Sequence, residues 1–271
     1  MNYIEQSWPD LLLKKENHLL WVTLNRPEAS NAYSSELVES LVQVLRLADE
    51  DNSVRVIILT GAGKNFCAGG DIKSMKNKSG MFKGESNELR EAYQNGIQKI
   101  PRTIQNMKTP LIAMVNGAAV GAGCDLAAMC DVRIAGEEAS FAETFAKVGL
   151  VPGDGGAYFL IRAIGYAKAM EMFLTSRTYS ALEAKGMGLV NWVYSQEKLA
   201  EETRSIALKM ATLPPIALQM TKKSLIHAYH SSLDAHLELV SAFQGITQRT
   251  EDHFTALDGL KDKKDQTFKH F

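Results

Sequence analysis

The sequence predicts an α/β fold that carries an all-helical C-terminal region, and three observations predict it. Two apolar segments read as strands, 54–60 (VRVIILT), nearly continuous as in a strand buried on both faces, and Leu111–Val115 (LIAMV). Each leads into a bend of small residues, NFCAGGD at 65–71 and NGAAVGAG at 116–123. After Tyr194 no strand pattern recurs, and helical spacing runs on toward the C-terminus. The expected division is a body over residues 1–196 and a helical region over residues 197–271.

In chain order, residues 11–15 and 19–24 read as paired strands around a short polar turn. Residues 25–31 (NRPEASN) form a loop that Pro27 keeps out of regular structure. Leu37, Leu41, Val44, Leu45 and Ala48 recur at helical spacing, so 34–49 is a helix with Ser34 as its cap. Residues 73–88 (KSMKNKSGMFKGESNE) have no apolar period and read as a mobile lysine-bearing loop beside the first glycine bend. Helical character resumes over 88–107, with an interruption near Pro101. Residues 132–135 form a short strand. Two helices, 157–164 and 167–175, are separated by Gly165. Residues 180–185 form a capped short helix with Glu183 in its first turn, and 189–194 a strand. Four helical stretches follow, over 197–213, 216–229, 232–248 and 251–260, the first two separated by Pro214 and Pro215.

The bulk numbers narrow the function classes. The 271 residues have a net charge of −1, 45% hydrophobic and 23% charged content, so no basic excess points to nucleic acid. No apolar run reaches membrane-spanning length. The N-terminus lacks a charged segment followed by an apolar one, so no secretory signal is expected and the cytoplasm is the expected compartment. Cys67, Cys124 and Cys130 sit in apolar, Gly/Ala-rich segments and read as buried thiols of a reducing compartment. No Cys/His cluster has metal-ligand spacing, and no metal is expected.

The chemistry is carried by the bends. Gly117, Gly121 and Gly123 let the backbone approach a ligand with no Cβ in the way. A helix opening there, with Asp125 in its first turn, aims free N–H groups forward, which suits a developing oxyanion. Two such bends converging on one oxygen are the core of the reading.

Taken together, NFCAGGDI (65–72), VNGAAVGAGCDLAAMCDVRIA (115–135) and GLVPGDGG (149–156) resemble the crotonase (enoyl-CoA hydratase/isomerase) superfamily, from about Leu11 to the C-terminus. The resemblance implies a crotonase-like spiral of ββα repeats with a C-terminal helical trimerisation region, assembled as a homotrimer or a dimer of trimers. It implies an acyl-CoA thioester as substrate, of the kind handled in fatty acid metabolism, with coenzyme A entering as part of the substrate and no permanently bound cofactor. It also implies an oxyanion hole of two backbone N–H groups, which by motif position are those of Ala68 and Ala122. Losing one such donor typically costs roughly 3 kcal/mol of barrier. The coenzyme site would run along Ala29, Ala68, Gly70, Asp71 and Ile72, with Lys263 or Lys264 near the phosphates.

The carboxylates depart from the pattern. Well-known hydratases of the family carry a glutamate at each of two motif positions. The first falls on Asp125, shorter by one methylene, a change in reach of ~1.5 Å that matters to positioned proton transfer. The second falls on Phe145, which transfers no proton. Glu143, two residues earlier on the same face of an extended segment, and Asp154, in the 152–156 turn, are the candidates to replace it. Asp154 equally fits an acid bonding its own turn. The expected activity is an enoyl-CoA hydratase with an atypical carboxylate pair, Asp125 and Asp154, with Glu143 in reserve. The alternatives are a double-bond isomerase, a catalytically weak acyl-CoA-binding protein and, further off, a thioester hydrolase or a dehalogenase. Phe82, Tyr93, Phe145 and Tyr158 are candidates for an acyl pocket.

Overall fold

The computed structural model describes residues 3–262 and 267–269. Lys263 and Lys264, the candidates for the phosphate end, lie outside the described residues. The strands are β1 (Leu11–Glu16), β2 (Leu19–Leu24), β3 (Val56–Gly61), β4 (Leu111–Val115), β5 (Ala118–Val120), β6 (Val132–Gly136), β7 (Ser140–Ala142), β8 (Thr178–Ser180) and β9 (Trp192–Tyr194). One sheet runs β1-β2-β3-β4-β6-β9, antiparallel at β1/β2 and parallel elsewhere. The other runs β5-β7-β8.

Strand β3 shows why the apolar run is continuous. Ile57 and Leu59 join one core cluster, whereas Val56 and Ile58 face a second on the other side. The pleat sends alternate side chains to opposite faces, and both faces are covered. The first face is covered by α1 (Ser35–Glu50), whose cap Ser34 accepts from Leu37 N at 2.9 Å.

Residues 73–88 are more regular than expected. They hold α2 (Ile72–Lys76), a 3-10 turn (Gly80–Phe82) and the start of α3 (Ser86–Asn95). Asp71 caps α2 by accepting from Lys73 N and Ser74 N, and Glu85 with Glu88 forms a capping box on α3. The helical break falls at Gly96 rather than Pro101, which sits inside α4 (Lys99–Asn106). Pro101 is in the first turn, where a missing N–H leaves no helical bond unmade.

Helices α5 (Ala122–Met129) and α6 (Gly156–Thr175) flank the site, and α6 kinks at Gly165, where φ is 77°. Helix α7 (Ala181–Gly186) carries the Ser180/Glu183 capping box. Helix α8 (Leu199–Ala211) lies on the second face of the large sheet and buries Leu199, Ala207 and Ala211 there. The body therefore extends beyond residue 196. Helix α9 (Pro215–Ala228) is pinned by Lys222, whose Nζ donates to Thr109 O at 2.9 Å and to Asp131 Oδ2 at 2.6 Å. Helices α10 (Leu233–Thr247) and α11 (Glu251–Asp262) follow, and α10 buries no side chain.

Candidate active site

The two glycine bends are stapled together. Cys67 N donates to Ala118 O at 3.1 Å and Val120 N to Cys67 O at 3.0 Å, so the first bend runs alongside β5. Gly123, in the first turn of α5, has no room for a side chain: a Cβ there would stand 1.9 Å from Cys67 O. Gly69 has φ of 81°, and a Cβ on it would come within 2.9 Å of Ala122 N. The backbone at 69–70 thus passes directly in front of the N-terminus of α5.

This arrangement corrects one expected donor. The Ala68 N–H is already used, donating to Ser30 O at 2.9 Å. Gly70, two residues on, has no acceptor for its N–H among the described residues, and neither has Ala122. The free pair is Gly70 and Ala122. Chain pairing at residue 68 spends that amide, and only the left-handed step at Gly69 turns the next N–H outward. The motif located the bend in the sequence but not which amide it frees.

The other residues expected along the coenzyme path lie on this ledge. Ala29 ends a 3-10 turn (Pro27–Ala29). Asp71 is committed to capping α2 and to an ion pair with Arg26 at 3.7 Å, so its part is to hold the loop. Ile72 is exposed and lines a cavity of about 510 Å³ with Met75, Phe82, Leu89, Tyr93 and Leu150. That volume lies within the range of small-molecule sites. Three of its lining side chains abut glycines of the site. Met75 Cε and Phe82 Cζ would lie 2.2 and 3.5 Å from a Cβ at Gly70, and the Tyr93 ring 2.7 Å from one at Gly153. Among the four aromatic candidates, Phe82 and Tyr93 line this cavity. Phe145 packs toward Gly121, its ring edge 3.8 Å from a Cβ there. Tyr158 stacks with His230 and lies under Arg162 on the outside of α6.

The three acids come together. Asp125, Glu143 and Asp154 are 0%, 0% and 2% exposed, and none of their six carboxyl oxygens accepts from a hydroxyl or a cationic side chain among the described residues. Asp125 lies against Gly156, where a Cβ would fall 1.6 Å from its Oδ1. It faces both other acids, and the Cys124 thiol lies against Glu143. Burial raises the Asp125 carboxyl well above its ordinary value, and the charges of Asp154 and Glu143 raise it further. Burial pushes Glu143 up to about 8, partly opposed by hydrogen bonding from Cys124 and Asp125. Burial likewise raises Asp154, with hydrogen bonding from Asp125 and from its own backbone N–H opposing it. Carboxyls in such contact bond to one another only through a proton held between them. A buried acid cluster whose carboxyls hold protons more tightly than ordinary ones can give and take protons. Among the described residues no group of His, Cys, Asp and Glu is arranged to hold a metal ion.

Residues 14–270 match the family model described as Enoyl-CoA hydratase/isomerase, and the chain belongs to that family. Its relatives include the mitochondrial enoyl-CoA hydratase of Pongo abelii, 37% identical over 255 residues, covering 94% of this chain and 85% of that protein. The 2,3-dehydroadipyl-CoA hydratase of Escherichia coli is 34% identical over 260 residues, covering 96% and 98%. A crystal structure of an enoyl-CoA hydratase from Bacillus anthracis superposes with a TM-score of 0.91 at 32% identity, covering 97% and 100%. The fold is the crotonase fold of that family, with helices at the C-terminus.

Proposed function

We propose that this protein is an enoyl-CoA hydratase, adding water reversibly across the double bond of a 2-enoyl-CoA. The observation that carries the reading is the pair of free backbone amides, Gly70 and Ala122, at the two stapled glycine bends, together with three buried carboxyls clustered at α5 and the 152–156 turn. The thioester oxygen sits between the two N–H groups, whose dipoles are fixed before charge develops on it. Asp154, as carboxylate, takes a proton from water while the oxygen bonds to the β-carbon. Asp125, as acid, gives its proton to the α-carbon. Contact between the two carboxyls then returns the proton from Asp154 to Asp125. The net change is one water added. Coenzyme A enters as part of the substrate, along Ala29, Ala68, Gly70 and Ile72, and no resident cofactor takes part. The free, buried thiols of Cys67, Cys124 and Cys130 support a reducing compartment such as the cytoplasm.

A second reading has its own support. Asp125 and Asp154 face each other directly, and Phe145 stands where a second glutamate would be. Such a pair also suits moving one proton between two carbons, as a double-bond isomerase does. Incubation with crotonyl-CoA and with a 3-enoyl-CoA in ¹⁸O-water separates the two. Hydration with ¹⁸O in the product is the expected result. Bond migration without oxygen uptake selects the isomerase, and binding without turnover removes both.

The same reading includes a homotrimer or a dimer of trimers. Helix α10 buries no side chain, leaving Leu233 and Leu237, one turn apart on the same face, more than half exposed. Exposed leucines on one face of a helix that buries nothing in the single chain support a partner surface there. The double substitution Leu233→Asp with Leu237→Asp is expected to shift the mass measured by light scattering from a multiple of three chains toward one. An unchanged mass would place the interface elsewhere.

A further inference from the structure

Glu143 follows β7 and is two residues ahead of Phe145, and its position in the acid cluster differs from that of its two neighbours. Asp154 neighbours Gly153, against which the cavity-lining Tyr93 packs. Asp125 sits between the other two acids. Glu143 is fully buried and faces the Cys124 thiol and Asp125. We propose that Glu143 is a positioning residue acting through Asp125: its carboxyl fixes Asp125 toward Asp154 without touching the acyl thioester.

This rests on Asp125 being the proton-transfer group of the reading above. Asp125 has no amide, hydroxyl or cation to orient it among the described residues. On one side Gly156 packs against it, and its polar neighbours are the two carboxyls. Without Glu143 a short side chain with two torsions would lose one of the two groups that define its rotamer. Charge gives the second reason. The groups facing Glu143 are Cys124 and Asp125 from α5 and Asp154 from the loop before α6, with Tyr33 and Tyr93 beyond them. None is a cation. Two carboxylates ~4 Å apart repel by about 4 kcal/mol at the effective dielectric of protein sites. The cluster therefore resists a second ionisation, and a protonated Glu143 leaves the single charge free to move between Asp125 and Asp154.

The test compares Glu143→Gln, nearly the same shape, with Glu143→Leu and Asp154→Asn. For Glu143→Gln the KM for crotonyl-CoA stays within about 2-fold, kcat falls about 10-fold, and the pH profile of kcat moves by about one unit. Glu143→Leu lowers kcat by about 100-fold, the scale of a misplaced catalytic group. Asp154→Asn lowers kcat more than Glu143→Gln does. A Glu143→Gln profile superimposed on that of the natural chain overturns the proposal. So does a raised KM at unchanged kcat, which would put Glu143 in the acyl site. So does a loss larger than that of Asp154→Asn, which would make Glu143 the proton donor itself. A ¹³C-carboxyl NMR titration of the free protein tests the coupling without turnover: the Asp125 resonance titrates at a different pH in Glu143→Gln. If the natural chain proves inactive on enoyl thioesters the hydratase reading falls, and an unmoved Asp125 titration separately overturns the coupling.

Discussion

Asp125→Asn reduces turnover by roughly 10³-fold or more, at the upper end of what one acid/base group supplies, while affinity for an acyl-CoA is unchanged. The amide is nearly isosteric, so it still fits against Gly156, where no larger group fits. It neither gives up nor accepts a proton at neutral pH. The amides of Gly70 and Ala122 and the cavity walls do not touch the substitution, so ground-state binding survives. The checks are the loss of enoyl absorbance on addition of crotonyl-CoA and calorimetric titration with a saturated acyl-CoA. Turnover within a few-fold of the natural chain would remove Asp125 from the mechanism. Lost binding together with lost turnover would mean that the acid supports the bend and not the chemistry.

How far the sequence reaches is clear from particular residues. Leu37, Leu41, Val44, Leu45 and Ala48 set α1 because a 3.6-residue period has one solution. The run at 54–60 announces a doubly covered strand because both sides of its pleat are apolar. The acids at 125, 143 and 154 were each legible as candidates. Their meeting was not, since it depends on β7, α5 and the 152–156 turn arriving at one point, and no spacing encodes that. The wrong amide at 68 has the same origin. Whether an N–H is free depends on Ser30, nearly forty residues away, whose carbonyl claims it. The stretch 73–88 does carry local helix signals. Asp71 two and three residues before Lys73 and Ser74, and Glu85 three before Glu88, are helix starts that low hydrophobicity hid.

Stability is expected to fall as pH rises from about 5 to about 8, the reverse of a protein dominated by paired surface acids. Asp125, Glu143 and Asp154 all bind protons more tightly in the fold than an ordinary carboxyl does, and burial is the first cause in each case. Unfolded, these groups titrate near 4. The folded state therefore holds more protons than the unfolded one above that pH. The sign follows: their contribution is complete below about 4 and is lost progressively as pH rises through the folded values, which for Glu143 means up to about 8. Each such proton gives a slope of up to ~1.4 kcal/mol per pH unit. Acids held low act oppositely. Glu16 and Asp51 are lowered by hydrogen bonds and nearby cations despite burial, and the Ser180 backbone N–H brings Glu183 down to about 2, so what they add is lost only toward acid. A maximum near pH 5 results. Denaturant unfolding at fixed protein concentration across pH 5 to 9 checks it. Glu143→Gln carries no titrating proton there, so its curve is flatter and crosses that of the natural chain, less stable at pH 5 and more stable at pH 8.5. A natural-chain curve that is level or rising over this range would mean the three carboxyls are hydrated and do not form a sealed proton store, and the acid-base scheme built on them would go with it.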